Sequence, residues 1–245
     1  MRTALITGSN GFIGDRLCKS LIAKDWRVIG VDITEENNEY EFVRKDARFL
    51  LVDDIPAEQI DVVFHCACYA EPKKYLEDPL FILDSCFNGT LNLLNIAKQF
   101  QATFVFLSSV DVERQFDTQD IKSSYIVGKL SAEQLCSAYK DQLNVKVVRL
   151  NNVYGDAKDT DTRVVPTFVR AVKSGKPINI TENSTRNFCY VWDVVSELIE
   201  ISTANSNTFI YELSGELITI QDLALTVEKT VFLKTQVEQG LRKFL

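Results

Sequence analysis

Short apolar runs alternate with longer stretches of helical periodicity along the first half of the chain. Thr3–Thr7, Arg27–Asp32, Asp61–Cys66, Thr103–Leu107 and Val145–Leu150 are rich in Val, Ile and Phe and apolar on both faces. Such runs predict parallel strands covered by helices on both sides. Between them, Phe12–Lys24, Pro79–Phe100 and Ser124–Asp141 have the periodicity of helices. A βαβα order of this kind predicts an α/β fold with a doubly wound parallel sheet and right-handed crossovers.

After Leu150 the texture changes. Asn151–Arg163 is polar and loop-like. Helices are expected at Val164–Ser174, Asp193–Ser202 and Ile220–Lys229, and short extended segments at Ile178–Ile180 and Phe188–Val191. The pattern predicts a main α/β domain over residues 1–150 and a small C-terminal α/β lobe over 151–245; the glycine loop makes the first the NAD-binding Rossmann domain, and the family resemblance makes the second the substrate-binding lobe. The boundary is blurred and the lobes are interleaved.

The loop after the first strand reads Gly8-Ser9-Asn10-Gly11-Phe12-Ile13-Gly14 and opens the first helix. Three glycines alone are weak evidence, but strand before and helix after is the context a dinucleotide requires. Gly8 permits the tight turn, Gly11 lets the backbone approach a pyrophosphate at the helix N-terminus, and Gly14 lets helix and strand pack closely. The sheet is therefore expected to be Rossmann-type. Asp32 ends the second strand, where a carboxylate accepts from the adenosine ribose hydroxyls and repels a 2′-phosphate. This favours NAD over NADP as cofactor. No Arg follows Asp32 directly, and Arg44 is the nearest candidate for a phosphate partner.

Tyr125 and Lys129 stand four residues apart on a helical stretch and so share a face. A phenol exchanges a proton with a sugar hydroxyl only if its pKa is lowered, which a fixed cation nearby achieves. Ser108 and Ser109 end a strand at the side of the sheet where ligands bind.

Together these segments resemble an extended short-chain dehydrogenase/reductase of the NAD-dependent epimerase/dehydratase family. TGSNGFIG, DVVFHCA, GTLNLLNIAK, the Ser pair, YIVGKLSAEQL, VRLNNVYG and TRNFCYVWDV follow in the family's order and span nearly the whole chain. The resemblance implies that Ser109 holds the reacting sugar oxygen, that Tyr125 is the acid/base, and that Lys129 holds the nicotinamide ribose and lowers the Tyr pKa. Asn10, Phe12 and Ile13 belong with the glycines to the cofactor loop. Asp46 and Ala47 match the pair beside the adenine, and Cys66 and Ala67 the segment passing the ribose and pyrophosphate. Asn152 and Arg186 resemble residues that hold a substrate's nucleoside diphosphate. Asp111 stands where dehydratases and decarboxylases carry an acid that moves protons at the sugar ring; a solvated or structural Asp is its other reading. Cys86 replaces the family's usual Asn, and the loop between the Ser pair and Tyr125 is short.

The resemblance implies a nucleotide-sugar epimerase, an isomerase in outcome, that oxidises a sugar hydroxyl transiently. A dehydratase, decarboxylase or ketosugar reductase of the same family is the alternative. A non-catalytic NAD-sensing or scaffold protein is the alternative of another class, against which the intact Ser-Tyr-Lys set argues. A homodimer through the helices Pro79–Phe100 and Ser124–Asp141 is also implied, with Phe81, Leu91, Leu94, Leu130 and Leu135 more apolar surface than one sheet-facing stripe needs.

Composition narrows the partners. The formal net charge is -7 over 245 residues, which argues against nucleic acid or an anionic membrane surface. The start does not read as a secretion signal, and no apolar run reads as a membrane span. The six cysteines lack framework spacing and read as reduced thiols of a cytoplasmic protein. Cys66 and Cys68 beside His65 read as buried small residues, with no metal expected. His65 itself reads as structural.

Overall fold

The computed structural model describes residues 1–35, 39–70, 75, 77–113, 123–155, 159 and 163–241, with side chains at all of these but 123 and 233–241. Arg114 and parts of the expected loops before Tyr125 and Arg163 lie outside the described residues.

Seven parallel strands form the main sheet: β1 Thr3–Thr7, β2 Arg27–Asp32, β3 Glu41–Arg44, β4 Val62–His65, β5 Thr103–Ser109, β6 Val145–Leu150 and β9 Ile210–Leu213, in the order β3-β2-β1-β4-β5-β6-β9. The expected Rossmann-type α/β fold is present. The strand order reverses between β1 and β4, which places a ligand crevice at their C-terminal ends.

The absence of polar alternation has its reason in two cores. Ala4, Ile6, Val62, Phe64, Val105 and Leu107 point to one face, against α1 (Phe12–Ile22) and α5 (Val191–Thr203). Leu5, Val63, Phe104 and Phe106 point to the other, against α2 (Pro79–Phe100) and α3 (Ser123–Tyr139). By length and composition α2 could cross a membrane, contrary to the expectation that no run would; half of that stretch is buried within the fold. Asp78 caps α2, accepting from the Phe81 N–H at 3.0 Å, and Pro79 fits the first turn, where no N–H is needed.

The C-terminal part departs from expectation in detail. Residues 178–180 are not a strand, although Ile178 and Ile180 pack on the third core. β8 runs Thr185–Tyr190, and Val191 already begins α5. β8 pairs with β7 (Asn152–Tyr154) in parallel and with β10 (Glu216–Thr219) antiparallel. This small sheet, with α4 (Val164–Lys173) and α6 (Ile220–Leu241), shares a core of Phe168, Phe188, Ile220, Leu223, Ala224 and Val227. After α5 the chain returns to the main sheet as β9. Buried Lys146 secures that return: its ammonium donates to the Ala204 carbonyl at 2.8 Å, meeting the need of a buried charge for a partner.

The apolar surplus on α2 and α3 is distributed differently from expectation. Leu94 is fully buried and Leu135 packs on the same core, while Leu80, Phe87, Val127 and Leu130 are exposed. Sequence periodicity located both helices without fixing their rotation.

Candidate active site

A cleft of about 780 Å³ runs from the Gly8–Gly14 loop, across the C-terminal ends of the main strands, to the small sheet. Gly8 has φ +69°, and a Cβ there would meet the Ala67 nitrogen at 2.9 Å. A Cβ at Gly14 would lie 2.1 Å from the Gly8 carbonyl oxygen. Both contacts are with backbone, so only glycine allows β1, α1 and the loop after β4 to meet so closely. Gly11 is the N-cap of α1, and no side chain caps the helix there. This backbone cradle fits a dinucleotide pyrophosphate. Phe12 and Ile13 line the cleft beside it.

Asp32 also lines the cleft and is held in place: it accepts from the Asn10 N–H at 3.0 Å and the Thr34 N–H at 3.1 Å. The Asn10 side chain donates to Thr34 Oγ1 at 2.8 Å and the Glu35 carbonyl at 3.0 Å, so it braces the loop around Asp32. Asp46 and Ala47 form the next wall. Asp46 accepts from Arg48, with the Arg48 Nη2–Asp46 Oδ2 contact at 2.7 Å. Burial pushes its carboxyl up, but these hydrogen bonds outweigh it and hold the pKa below the usual carboxylate value. Cys66 and Ala67 line the cleft after β4, and burial pushes the Cys66 thiol up. His65 is fully buried, its Nδ1 hydrogen bonded to Thr7 Oγ1 at 2.9 Å.

Ser109, Tyr125 and Lys129 meet where β5 ends. The neighbouring Ser108 hydroxyl is engaged by Glu133 at 2.5 Å, and Glu133 in turn accepts from Arg149 at 2.7 Å. Ser109 lines the cleft together with Tyr125. Lys129, buried, donates to the Leu107 carbonyl at 2.6 Å and lies 5.8 Å from the Tyr125 ring centroid. The expected lowering of the Tyr125 pKa by Lys129 is present, but burial outweighs it and the net direction is upward. For Lys129, burial acts to lower the pKa, and Cys68, Tyr125 and Cys86 together reverse it. Asp111 lines the same cleft, its N–H donating to Ser109 Oγ at 3.2 Å.

Asn152 and Arg186 line the far end on β7 and β8. Both are exposed; Asn152 donates to the Asn187 carbonyl at 2.9 Å and Arg186 to Ser184 Oγ at 3.1 Å. Two residues that sequence reasoning missed also line the cleft. Tyr75 stacks on Tyr125, and Arg163, just before α4, donates to the Val153 carbonyl at 3.3 Å and lies 5.6 Å over the Phe12 ring. Neither stands in a spaced motif. The Arg before the apolar Val164–Val165 pair was the one signal for the second.

A switch-point crevice, a glycine cradle with an acidic neighbour and a buried Tyr–Lys pair define a dinucleotide-binding redox-type α/β protein. Its family follows from sequence: the NAD dependent epimerase/dehydratase family matches residues 4–212, and the chain belongs to it. NAD is the cofactor of that family, and the residues of the cradle fit it. UDP-glucuronic acid decarboxylase 1 of Danio rerio is 28% identical over 96% of this chain and 62% of its own length. UDP-glucuronic acid decarboxylase 4 of Arabidopsis thaliana is 30% identical over 96% of this chain and 58% of its own. The chain thus spans about three fifths of each of these relatives. Among solved structures, UDP-glucose 4-epimerase of Thermotoga maritima with UDP-glucose has a TM-score of 0.82 at 22% identity, covering 94% of this chain and 82% of that one. UDP-glucose 4-epimerase of Thermus thermophilus with NAD has a TM-score of 0.78 at 24% identity, covering 94% and 83%. These likenesses are of fold.

Proposed function

We propose that the protein converts one nucleotide sugar into another by transient oxidation of a ring hydroxyl. The observation that carries this reading is the meeting of Ser109, Tyr125 and Lys129 in the cleft that begins at the glycine cradle. NAD, when bound, supplies hydride acceptance and return. The Gly8–Gly14 loop would hold its pyrophosphate, Asp32 its adenosine ribose, Asp46 and Ala47 its adenine side, and Lys129 the nicotinamide ribose. Ser109 holds the sugar oxygen, and Tyr125 takes its proton and gives it back. Asn152 and Arg186 face the substrate's diphosphate, for which a guanidinium fork is suited. If the sugar turns over before it is reduced, the outcome is epimerisation.

A second outcome, decarboxylation, is supported by Asp111 beside Ser109 and by the two decarboxylase relatives. A keto group two bonds from a carboxylate lets CO₂ depart; the enolate left behind takes a proton, which Asp111 would hold, before reduction. The distinguishing experiment gives the NAD-loaded protein UDP-glucose and UDP-glucuronic acid separately. A 4-epimer from the first supports epimerisation, and CO₂ with a UDP-pentose from the second supports decarboxylation. No conversion across a wider panel of nucleotide sugars overturns both.

The same reading includes a homodimer through α2 and α3. It is supported by the exposed Leu80, Phe87, Val127 and Leu130 on those two helices, which a C2 pairing would bury.

A further inference from the structure

Arg48 reaches from the wall of the cofactor cleft to α2, and the proposed reaction gives it no part. It lies in the short 3₁₀ turn Ala47–Phe49, which Asp46 caps by accepting from the Arg48 N–H at 2.9 Å. The Arg48 guanidinium folds back on the same carboxylate. Its Nε is 3.1 Å from both Asp46 oxygens, and Nη2 donates to Oδ2 at 2.7 Å. Nη1 pairs with Asp84 on α2, and the guanidinium carbon lies 4.8 Å over the Phe81 ring. Asp46 lines the cleft and Arg48 does not. Three N–H groups of one residue thus meet a carboxylate that has about four lone-pair sites. One acceptor site remains, on a side chain that faces the cleft.

We propose that Arg48 is a positioning residue for the cofactor's base: it fixes the Asp46 carboxylate so that the remaining acceptor site meets the 6-amino group of adenine. This rests on the reading above, in which NAD lies in the cleft with its adenine side at Asp46 and Ala47. A carboxylate only accepts, so it suits an amino group and opposes a carbonyl at the same place. A 6-oxo purine has that carbonyl, with an N–H beside it at N1. A carboxylate free to turn could accept from the N1–H and so take either base. One gripped at both oxygens by a planar fork cannot. Arg48 therefore makes the acid select for adenine.

Support of the wall falls to a different residue. Asn92 on α2 donates to the Ala47 and Leu50 carbonyls at 2.8 and 2.9 Å. Those bonds pin the backbone of the turn whether or not the guanidinium is there. The glycine cradle and Asp32 are also untouched by a change at Arg48, so NAD binding should weaken without being lost.

The test titrates NAD and deamino-NAD, which carries hypoxanthine in place of adenine, into the full chain by calorimetry. Wild type is expected to bind NAD more tightly, on the order of tenfold. Arg48→Gln should lose most of that ratio. Arg48→Lys keeps the charge without the fork, so its ratio should collapse likewise, and it carries the test if a thermal melt shows Arg48→Gln unfolded. A general loosening of the cleft would weaken both dinucleotides alike and leave the ratio as it was. An unchanged ratio in the folded variants therefore overturns the proposal. A wild type that binds the two equally also overturns it and leaves the NAD reading standing, whereas a wild type that binds neither overturns both.

Discussion

Tyr125 lies face to face with Tyr75, ring centroids 5.0 Å apart and planes 17° from parallel. Both rings are buried, at 8% and 5% exposure, so the phenol proposed to move protons cannot swing freely. Tyr125→Phe keeps this stack and removes one oxygen. Turnover is expected to fall on the order of 10²–10⁴, while NAD affinity is unchanged. Initial rates on whichever nucleotide sugar is converted, with calorimetric NAD titration, check both halves. Near-normal turnover would move attention to Asp111.

Asp32 should make the protein prefer NAD to NADP. Its carboxylate is fixed by the Asn10 and Thr34 N–H groups and cannot turn away from a 2′-phosphate. Titration of both cofactors into wild type and Asp32→Ala is the measurement. The preference should be clear in wild type and reduced in the variant. Equal affinities in wild type would sink the assignment.

Two glycine substitutions should act in opposite directions. In Gly14→Ala the new methyl lands on the Gly8 carbonyl, so a loss of about 2 kcal/mol or more is expected, roughly 4–8 °C in Tm. Gly89 sits within α2, where a Cβ would meet its nearest neighbour, the His65 ring, at 3.8 Å. Gly89→Ala therefore adds helix propensity at an ordinary contact distance and should gain about 0.5–1 kcal/mol. Thermal melts of both variants decide this, and a destabilised Gly89→Ala would show that the space beside His65 is not free.

Phe87→Glu with Leu130→Glu should turn the proposed dimer into a monomer. The two side chains are 39% and 41% exposed, and Leu80 and Val127 are exposed on the same helices. Light scattering at micromolar concentration gives the mass. A wild-type monomer would remove the proposal.

The fold was most legible where burial on both faces left no polar position to confuse the reading. β1, β2 and β6 fall on their expected bounds for that reason, and α2 does so through its helical periodicity and the Asp78–Pro79 start. β3, β7, β9 and β10 were missed because each is only 3 or 4 residues long and partly exposed, so pairing rather than composition makes them strands. Within the site, the glycine loop and the Tyr125–Lys129 spacing are local and could be read. Tyr75 and Arg163 enter from other segments, and their approach is decided only by tertiary packing.

The late return of β9 has a consequence for how the protein reaches its native state. Ile210–Leu213 supply the outer neighbour of β6, and Val191–Ile201 cover a face of the sheet built by the first half. A growing chain that had emerged only as far as Leu150 would present β6 as an open edge and Ala4, Ile6, Val105 and Leu107 without their cover. Sheet completion therefore waits on contacts between residues some 60 positions apart, such as Leu150 with Leu213. Such non-local closure slows folding and lengthens the interval in which an unpaired edge can recruit a foreign strand. Chaperone dependence during synthesis, and aggregation of products truncated before residue 210, are where that delay would be felt.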